Sequence, residues 1–304
     1  MTFVIHANLD CESTWNHIPL PPAIQHRVSL YGLLASAFAP DDAEIELWTP
    51  AAIDPARWLG TAKAQFRVGV PPRADFAWAD PRAAAANDRR LVHAIAALPG
   101  SWIVGCDDDL ERDWIAGPWI AKPVWAAAGR DRCRGNGPPA REHRTRLHRL
   151  LARCGALVVE PWCDRLLDVG LCAAIDDRGA ITANPPHGLI SDPRGGFVGI
   201  DLAGAALLPS ERAELEAALA AAGAAIARTG FTGRFAIDAF AYRDHGGTRR
   251  FHPLCEINAR TTFGWVAWAF AARCGTSRLG FSPAPAGATV LVAPAHDHIT
   301  AWIA

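Results

Sequence analysis

The chain reads as an α/β (α+β) protein in two parts. A small α/β domain spans residues 1–95, and a larger domain built on antiparallel strands spans 96–304. Three observations carry this reading. The 304 residues are 50% apolar, more core than one small domain needs. Strand-like and helix-like patterns alternate up to about residue 98, as in small α/β units. Two alternating apolar/polar runs around Gly246-Gly247 read as a β-hairpin.

The elements follow in order. TFVIHANL at the start is a strand rich in β-branched and aromatic residues. A loop with Pro19, Pro21 and Pro22 precedes a helix over Ala23–Phe38. Glu44–Trp48 is a strand with Ile45 and Leu47 on one face. A mixed stretch, 58–70, and a loop, 80–87, lead to a helix over Asp88–Leu98 that stops at Pro99-Gly100. In the second part, Ser101–Cys106 is a strand, and Asp107–Asp109 form the acidic first turn of a helix. Trp119–Trp125 is a strand, Ala126–Pro139 a Gly- and Arg-rich loop, Arg141–Cys154 an amphipathic helix and Ala156–Glu160 a strand. Leu166–Ala174 begins another strand, and Phe197–Leu202 is expected at a sheet edge. The helix Glu211–Thr229 precedes the hairpin Phe235–Tyr242 and Phe251–Asn258. A helix over Thr262–Arg273 and a strand over Thr289–Ala293 close the chain.

Composition narrows the function. The net charge is −1, the isoelectric point is near 6.8 and basic residues are spread out, so no nucleic-acid footprint or membrane-attracted surface is expected. The N-terminus has no secretory pattern, and the longest apolar stretch, Leu215–Ala227, is too short for a bilayer. A soluble cytoplasmic protein is expected. The eight cysteines form no CxxC pair and read as reduced and structural, without zinc-ligand spacing. Basic residues are nearly all arginine, so Lys63 and Lys122 stand out; a lysine is a compact charge that the planar arginine fork does not replace.

Three segments carry chemistry. Lys122 lies in WIAKPVW, where an apolar strand makes a lone charge costly unless it meets an anion. The loop after it, with Gly129, Arg130, Gly135 and Gly137, permits close backbone approach to a polyphosphate, although the P-loop pattern is absent; a surface strand and a plain basic loop explain the same residues equally well. In LVVEPWCDRLLD, Glu160 ends a strand and could equally cap a core strand, while Asp164 or Asp168 further on can accept ribose hydroxyls. In FAIDAFAYRDHGGTRRFHPLCEINAR, Asp238 points away from Ile237 and Ala239, while Glu256, Asn258 and Arg260 share a face. Such an all-oxygen set suits Mg²⁺, and the arginine suits a transferring phosphoryl group. A solvated hairpin face explains the polar residues but not their apolar neighbours.

Lys122, the Gly-rich loop, VVEPW, IDAF and CEINAR stand in the order and rough spacing of the ATP-grasp superfamily, which the chain resembles over about residues 85–275. CEINAR is similar to that superfamily's ExNxR metal motif. Within the superfamily the chain most resembles uncharacterised bacterial proteins related to peptide ligases. The resemblance implies an ATP-grasp fold whose antiparallel sheets form the nucleotide cleft, behind a small pre-grasp domain. It implies ATP and Mg²⁺ as cofactors. Lys122 would hold α- and β-phosphate oxygens, and the loop at Gly129 and Arg130 would close over them. Glu160 would sit by the adenine amino group, Trp162 and Cys163 would give backbone contacts to its ring, and Asp168 would take the ribose. Asp238, Glu256 and Asn258 would bind Mg²⁺, and Arg260 would face the γ-phosphate and acyl phosphate. Arg89 stands where members often have a second phosphate lysine; an ordinary solvated arginine is the other reading.

The activity so implied is ADP-forming ligation of a small-molecule or peptide carboxylate to an amine through an acyl phosphate. Two alternatives are an ATP-binding sensor or scaffold, and phosphoryl transfer to a non-carboxylate acceptor. No catalytic Ser or Cys is expected. His6, Asp10 and Glu12 could reach the substrate or be an ordinary polar strand end; His252 reads as packing, His296 and His298 as solvated. A homodimer is left open.

Overall fold

The computed structural model describes residues 2–125, 131–192 and 195–304. Strands β1 (Thr2–His6), β2 (Glu44–Thr49), β3 (Ala64–Val68) and β4 (Phe76–Ala77) form a parallel sheet in the order β3-β2-β1-β4. Helix α1 (Cys11–Trp15) follows β1 directly. Helix α2 (Pro22–Gly32) starts with proline at its first position, where the missing N–H costs nothing, and tightens into a 3₁₀ turn over Leu33–Phe38. Helix α3 (Arg89–Ala96) is capped by Asp88, whose carboxylate accepts from the Arg90 amide at 2.8 Å.

A second, antiparallel sheet runs β5-β8-β6-β7, from β5 (Trp102–Val104), β6 (Pro118–Pro123), β7 (Cys133–Asn136) and β8 (Leu157–Pro161). Helix α4 (Arg141–Cys154) covers it, burying Leu147, Leu150 and Leu151 with Trp119, Leu157 and Val159, and ends at Gly155 in the left-handed region (φ 73°). Here a sequence expectation is corrected. Part of the loop expected over 126–139 is strand β7, and Gly135 faces Trp119; a Cβ there would lie 2.2 Å from an indole carbon. That glycine makes room for a core ring, not for a phosphate. Gly129 and Arg130 lie outside the described residues.

The third sheet has nine strands: β9 (Asp164–Ile175), β10 (Ile181–Ala183), β11 (His187–Ser191), β12 (Phe197–Asp201), β13 (Gly233–Arg243), β14 (Arg249–Asn258), β15 (Arg278–Gly280), β16 (Thr289–Val292) and β17 (Ala301–Ile303). Its order is β14-β13-β9-β11-β12-β15-β17-β16, with β10 on β9. β12 is therefore not an edge strand: it lies between β11 and β15, whose short segments carry too little alternation to read from sequence. One face is apolar. Val169, Leu171, Ile237, Ala239 and Ile257 pack against Leu215, Leu219, Ala222 and Ile226 of helix α5 (Pro209–Arg228). Each large aliphatic side chain buried there contributes about 1.5–3 kcal/mol. Glu211 of α5 accepts from the Leu208 amide and from Arg249 of β14 (2.6 and 2.8 Å), pinning the helix to the hairpin. Helix α6 (Phe263–Cys274) follows the hairpin, and its Val266 and Phe270 share a core with Leu30, Leu34 and Ile45 of the N-terminal part. No helix among the described residues is long and apolar enough to cross a membrane.

Candidate active site

Because α5 takes the apolar face of the nine-stranded sheet, the residues of opposite parity lie on its other face, where Gly264 of α6 covers the His187 end. Directly paired residues of adjacent strands share a face. One row therefore crosses four strands: His187 of β11, Gly170 of β9, Asp238 of β13 and Glu256 of β14. Two residues along, Asn258 donates to Asp238 Oδ2 at 3.3 Å, and Arg260 Nη2 donates to Asn258 Oδ1 at 2.9 Å. The hairpin thus brings together Asp238, Glu256, Asn258 and Arg260.

The opposing wall is the four-stranded sheet. Lys122 on β6 and Glu160 on β8 are diagonal neighbours on one face and form a half-buried ion pair. Arg89, the first residue of α3, joins the two walls. Its Nη1 donates to the Pro123 carbonyl at 2.9 Å and its Nη2 to Glu256 Oε1 at 2.7 Å, while its amide donates to Val124 at 3.0 Å. The arginine is 10% exposed, so the solvated reading of it is replaced by a bridging one.

The remaining predicted positions separate. Asp168 lies on the cleft face opposite Phe240 and accepts from Arg165 Nη1 at 2.6 Å. Cys163 is half-buried. The Trp162 amide donates to the Pro118 carbonyl at 2.8 Å, so a backbone contact of this residue with a ring edge would be made through its carbonyl. The cause is that the β6–β8 pairing carries on past Pro161. The Trp162 ring instead lies under the Arg134 guanidinium, 3.8 Å from it.

Several residues of this face had no sequence signal. Arg165 stacks on Phe240 at 3.9 Å. His187, 2% exposed, lies over Gly170, where a Cβ would come within 2.5 Å of its Nε2. Nothing about one histidine in HGLIS announces this, because the row forms only when β11, β9 and β13 pair.

Electrostatics sort the site. Burial, then the Glu256 carboxylate opposite, pushes the Asp238 carboxyl up to about 7, against the pull of Arg260. Burial holds the imidazoles of His187 and His252 down to about 4, and Pro185 and Glu160 respectively oppose this weakly. Burial opposes the Arg260 charge, yet Glu12, Cys11 and Glu256 outweigh it and hold the guanidinium above its usual range. Burial, more than lack of a countercharge, thus resists ionisation of Asp238, while Glu256 is paired with Arg89. Two carboxylates and an amide oxygen are hard donors of the kind a small divalent cation takes. The described residues hold no group of three or more His, Cys, Asp or Glu side chains, so the remaining ligands would come from phosphate or water.

No protein-family model and no curated protein matches the chain. Solved structures do. N5-carboxyaminoimidazole ribonucleotide synthetase from Thermus thermophilus matches at 14% identity over 100% of this chain and 93% of its own, with a TM-score of 0.56. An L-amino acid ligase from Bacillus licheniformis matches at 12% identity over 99% and 92%, with a TM-score of 0.54. A biotin carboxylase from Campylobacter jejuni, solved as an ATP-analogue complex, matches at 11% identity over 99% and 86%, with a TM-score of 0.58. At such identities the likeness is one of fold. Taken with the two antiparallel sheets that face each other across the cleft, it shows that the chain has the ATP-grasp fold.

Proposed function

We propose that the chain is an ATP- and Mg²⁺-dependent carboxylate–amine ligase that forms ADP and works through an acyl phosphate. The observation that carries this reading is the cross-strand pairing of Asp238 with Glu256, facing a lysine-bearing wall to which Arg89 connects it. The solved relatives include enzymes named as synthetase, amino acid ligase and carboxylase, which supports the reaction type.

Each residue then has a task. Asp238, Glu256 and Asn258 would hold Mg²⁺, which when bound would neutralise the phosphate oxygens. Lys122 would exchange Glu160 for α- and β-phosphate oxygens. Glu160 and the Cys163 amide would meet the adenine, and Asp168 the ribose. Arg260 would face the γ-phosphate. A substrate carboxylate oxygen attacks the γ-phosphorus, and the bond to the β-phosphate oxygen breaks to release ADP. The amine then attacks the acyl carbon, loses a proton and expels phosphate. Positioning and charge do this work without a covalent nucleophile from the protein. The division near residue 95 is proposed as a functional one, with the N-terminal sheet contributing to the acceptor side, in a soluble cytoplasmic setting.

The test is ADP release measured against panels of acids and amines. ADP that appears only when an acid and an amine are both present supports ligation. ADP formation indifferent to added acids favours phosphoryl transfer elsewhere, and nucleotide binding without turnover favours a sensor.

A further inference from the structure

Glu12 is the buried acid that the reading above leaves without a task. It lies on α1, just past the C-terminal end of β1, and is 7% exposed. Its Oε1 accepts from Arg260 Nε at 3.2 Å and from Nη2 at 2.9 Å. Its Oε2 is buried and makes no hydrogen bond among the described residues. A purely structural carboxylate buried this deeply normally satisfies both oxygens. The loop before it is fixed, because Asn8 bonds the Ala79 carbonyl (2.9 Å) and amide (3.1 Å). The segment carrying Arg260 is docked on the same part of the chain: the Ala259 amide donates to Asn87 Oδ1 and the Thr261 amide to Trp78, both at 2.9 Å.

Arg260 has other acids within electrostatic reach, Glu256 and Asp238. A guanidinium released from Glu12 would settle on those carboxylates and compete with any cation there. We propose that Glu12 is a positioning residue that holds Arg260 at the end of the hairpin, off the Asp238–Glu256 pair, so that among the described residues Arg89 on Glu256 Oε1 is the one guanidinium bonded to the pair and Asp238 stays open to a divalent cation. The proposal rests on the reading of that pair as the cation site. It makes the N-terminal sheet part of the cation site without touching the cation.

The test is Mn²⁺ binding followed by electron paramagnetic resonance, with ADP present, on the full chain and on Glu12→Gln, Glu12→Asp, Arg260→Gln and the Glu12→Gln/Arg260→Gln double variant. Supporting partners of metal ligands typically matter by 10–100-fold, so Glu12→Gln is expected to weaken Mn²⁺ about tenfold. Glu12→Asp recovers part of this, and because each single variant strands its buried partner, binding is compared below the melting temperature of the least stable chain. In the Arg260→Gln background, Glu12→Gln has no further effect, because the arginine it restrains is gone. Unchanged Mn²⁺ affinity in Glu12→Gln overturns the inference, and so does a full tenfold loss that persists without Arg260. A chain that binds Mn²⁺ in this Glu12-dependent way yet forms no ADP with any acid and amine supports the inference and ends the ligase reading. A chain that ligates while Glu12→Gln binds Mn²⁺ normally does the reverse, and one that binds no Mn²⁺ overturns both.

Discussion

The two walls of the cleft treat charge differently. On the four-stranded sheet, Lys122 and Glu160 neutralise each other, and the wall is electrically complete by itself. On the nine-stranded sheet, Asp238 faces Glu256 with only shared arginines to offset them, and the Asp238 carboxyl rises to about 7. A balanced pair can be broken to meet a ligand and remade afterwards. An unbalanced pair carries a standing cost that a cation relieves, so it selects one by default.

The largest expected effect strikes the unbalanced wall. Glu256→Ala should lower turnover on the order of 10³-fold, as loss of a principal transition-state charge partner does. Asp238→Asn should lose turnover as well, yet raise the melting temperature of the cation-free protein, since it removes the ionisation that burial resists. A melting temperature that falls instead would break the contrast between the walls. Next is the balanced wall. Lys122→Ala should cost about 10²-fold in turnover and also destabilise, because it strands Glu160 at 15% exposure. Adding Glu160→Ala should restore most of the lost stability but none of the activity. Additive losses in urea titrations would show that the two residues do not act as a pair.

A third test is pH. His187 and His252 have folded values near 4, below the unfolded value of 6.5. Between those values each histidine takes up a proton on unfolding and lowers stability as pH drops from about 6.5 to 4, while Asp238, near 7 in the fold and 3.8 unfolded, pulls the other way. The loss is at most about 3 kcal/mol per histidine, at 1.36 kcal/mol per unit. Urea midpoints across that window measure the balance, and because Asp238 offsets about one histidine, His187→Phe should remove most of the net slope. The smallest effect is expected at Trp162→Ala. Its amide is spent on Pro118 and its ring meets an arginine at the surface, so stability should change by less than about 1 kcal/mol in thermal melts.

Much of the nine-stranded wall was legible in the sequence. Alternation in FAIDAF and CEINAR separates Asp238, Glu256 and Asn258 from Ile237, Ala239 and Ile257, because strand periodicity fixes which side a residue takes. Lys122 was legible as a charge with no cheap place to be. The bonds that assemble the site were not. Glu12 meets Arg260 across 248 residues and Arg89 meets Glu256 across 167, and no local pattern encodes a contact at that separation. Short strands such as β15 and β17 were missed for a related reason: three residues show no period. That the Trp162 amide is taken by Pro118 was not legible either, because the end of a ladder depends on its partner strand as well as on its own sequence.

Arg89 sets a mechanical limit on the cleft. Its two terminal nitrogens rest on opposite walls, one on the Pro123 carbonyl and the other on Glu256. A guanidinium is flat and stiff, so it works like the stop on a pair of calipers. At that point the two sheets cannot approach closer than the width of the group between them.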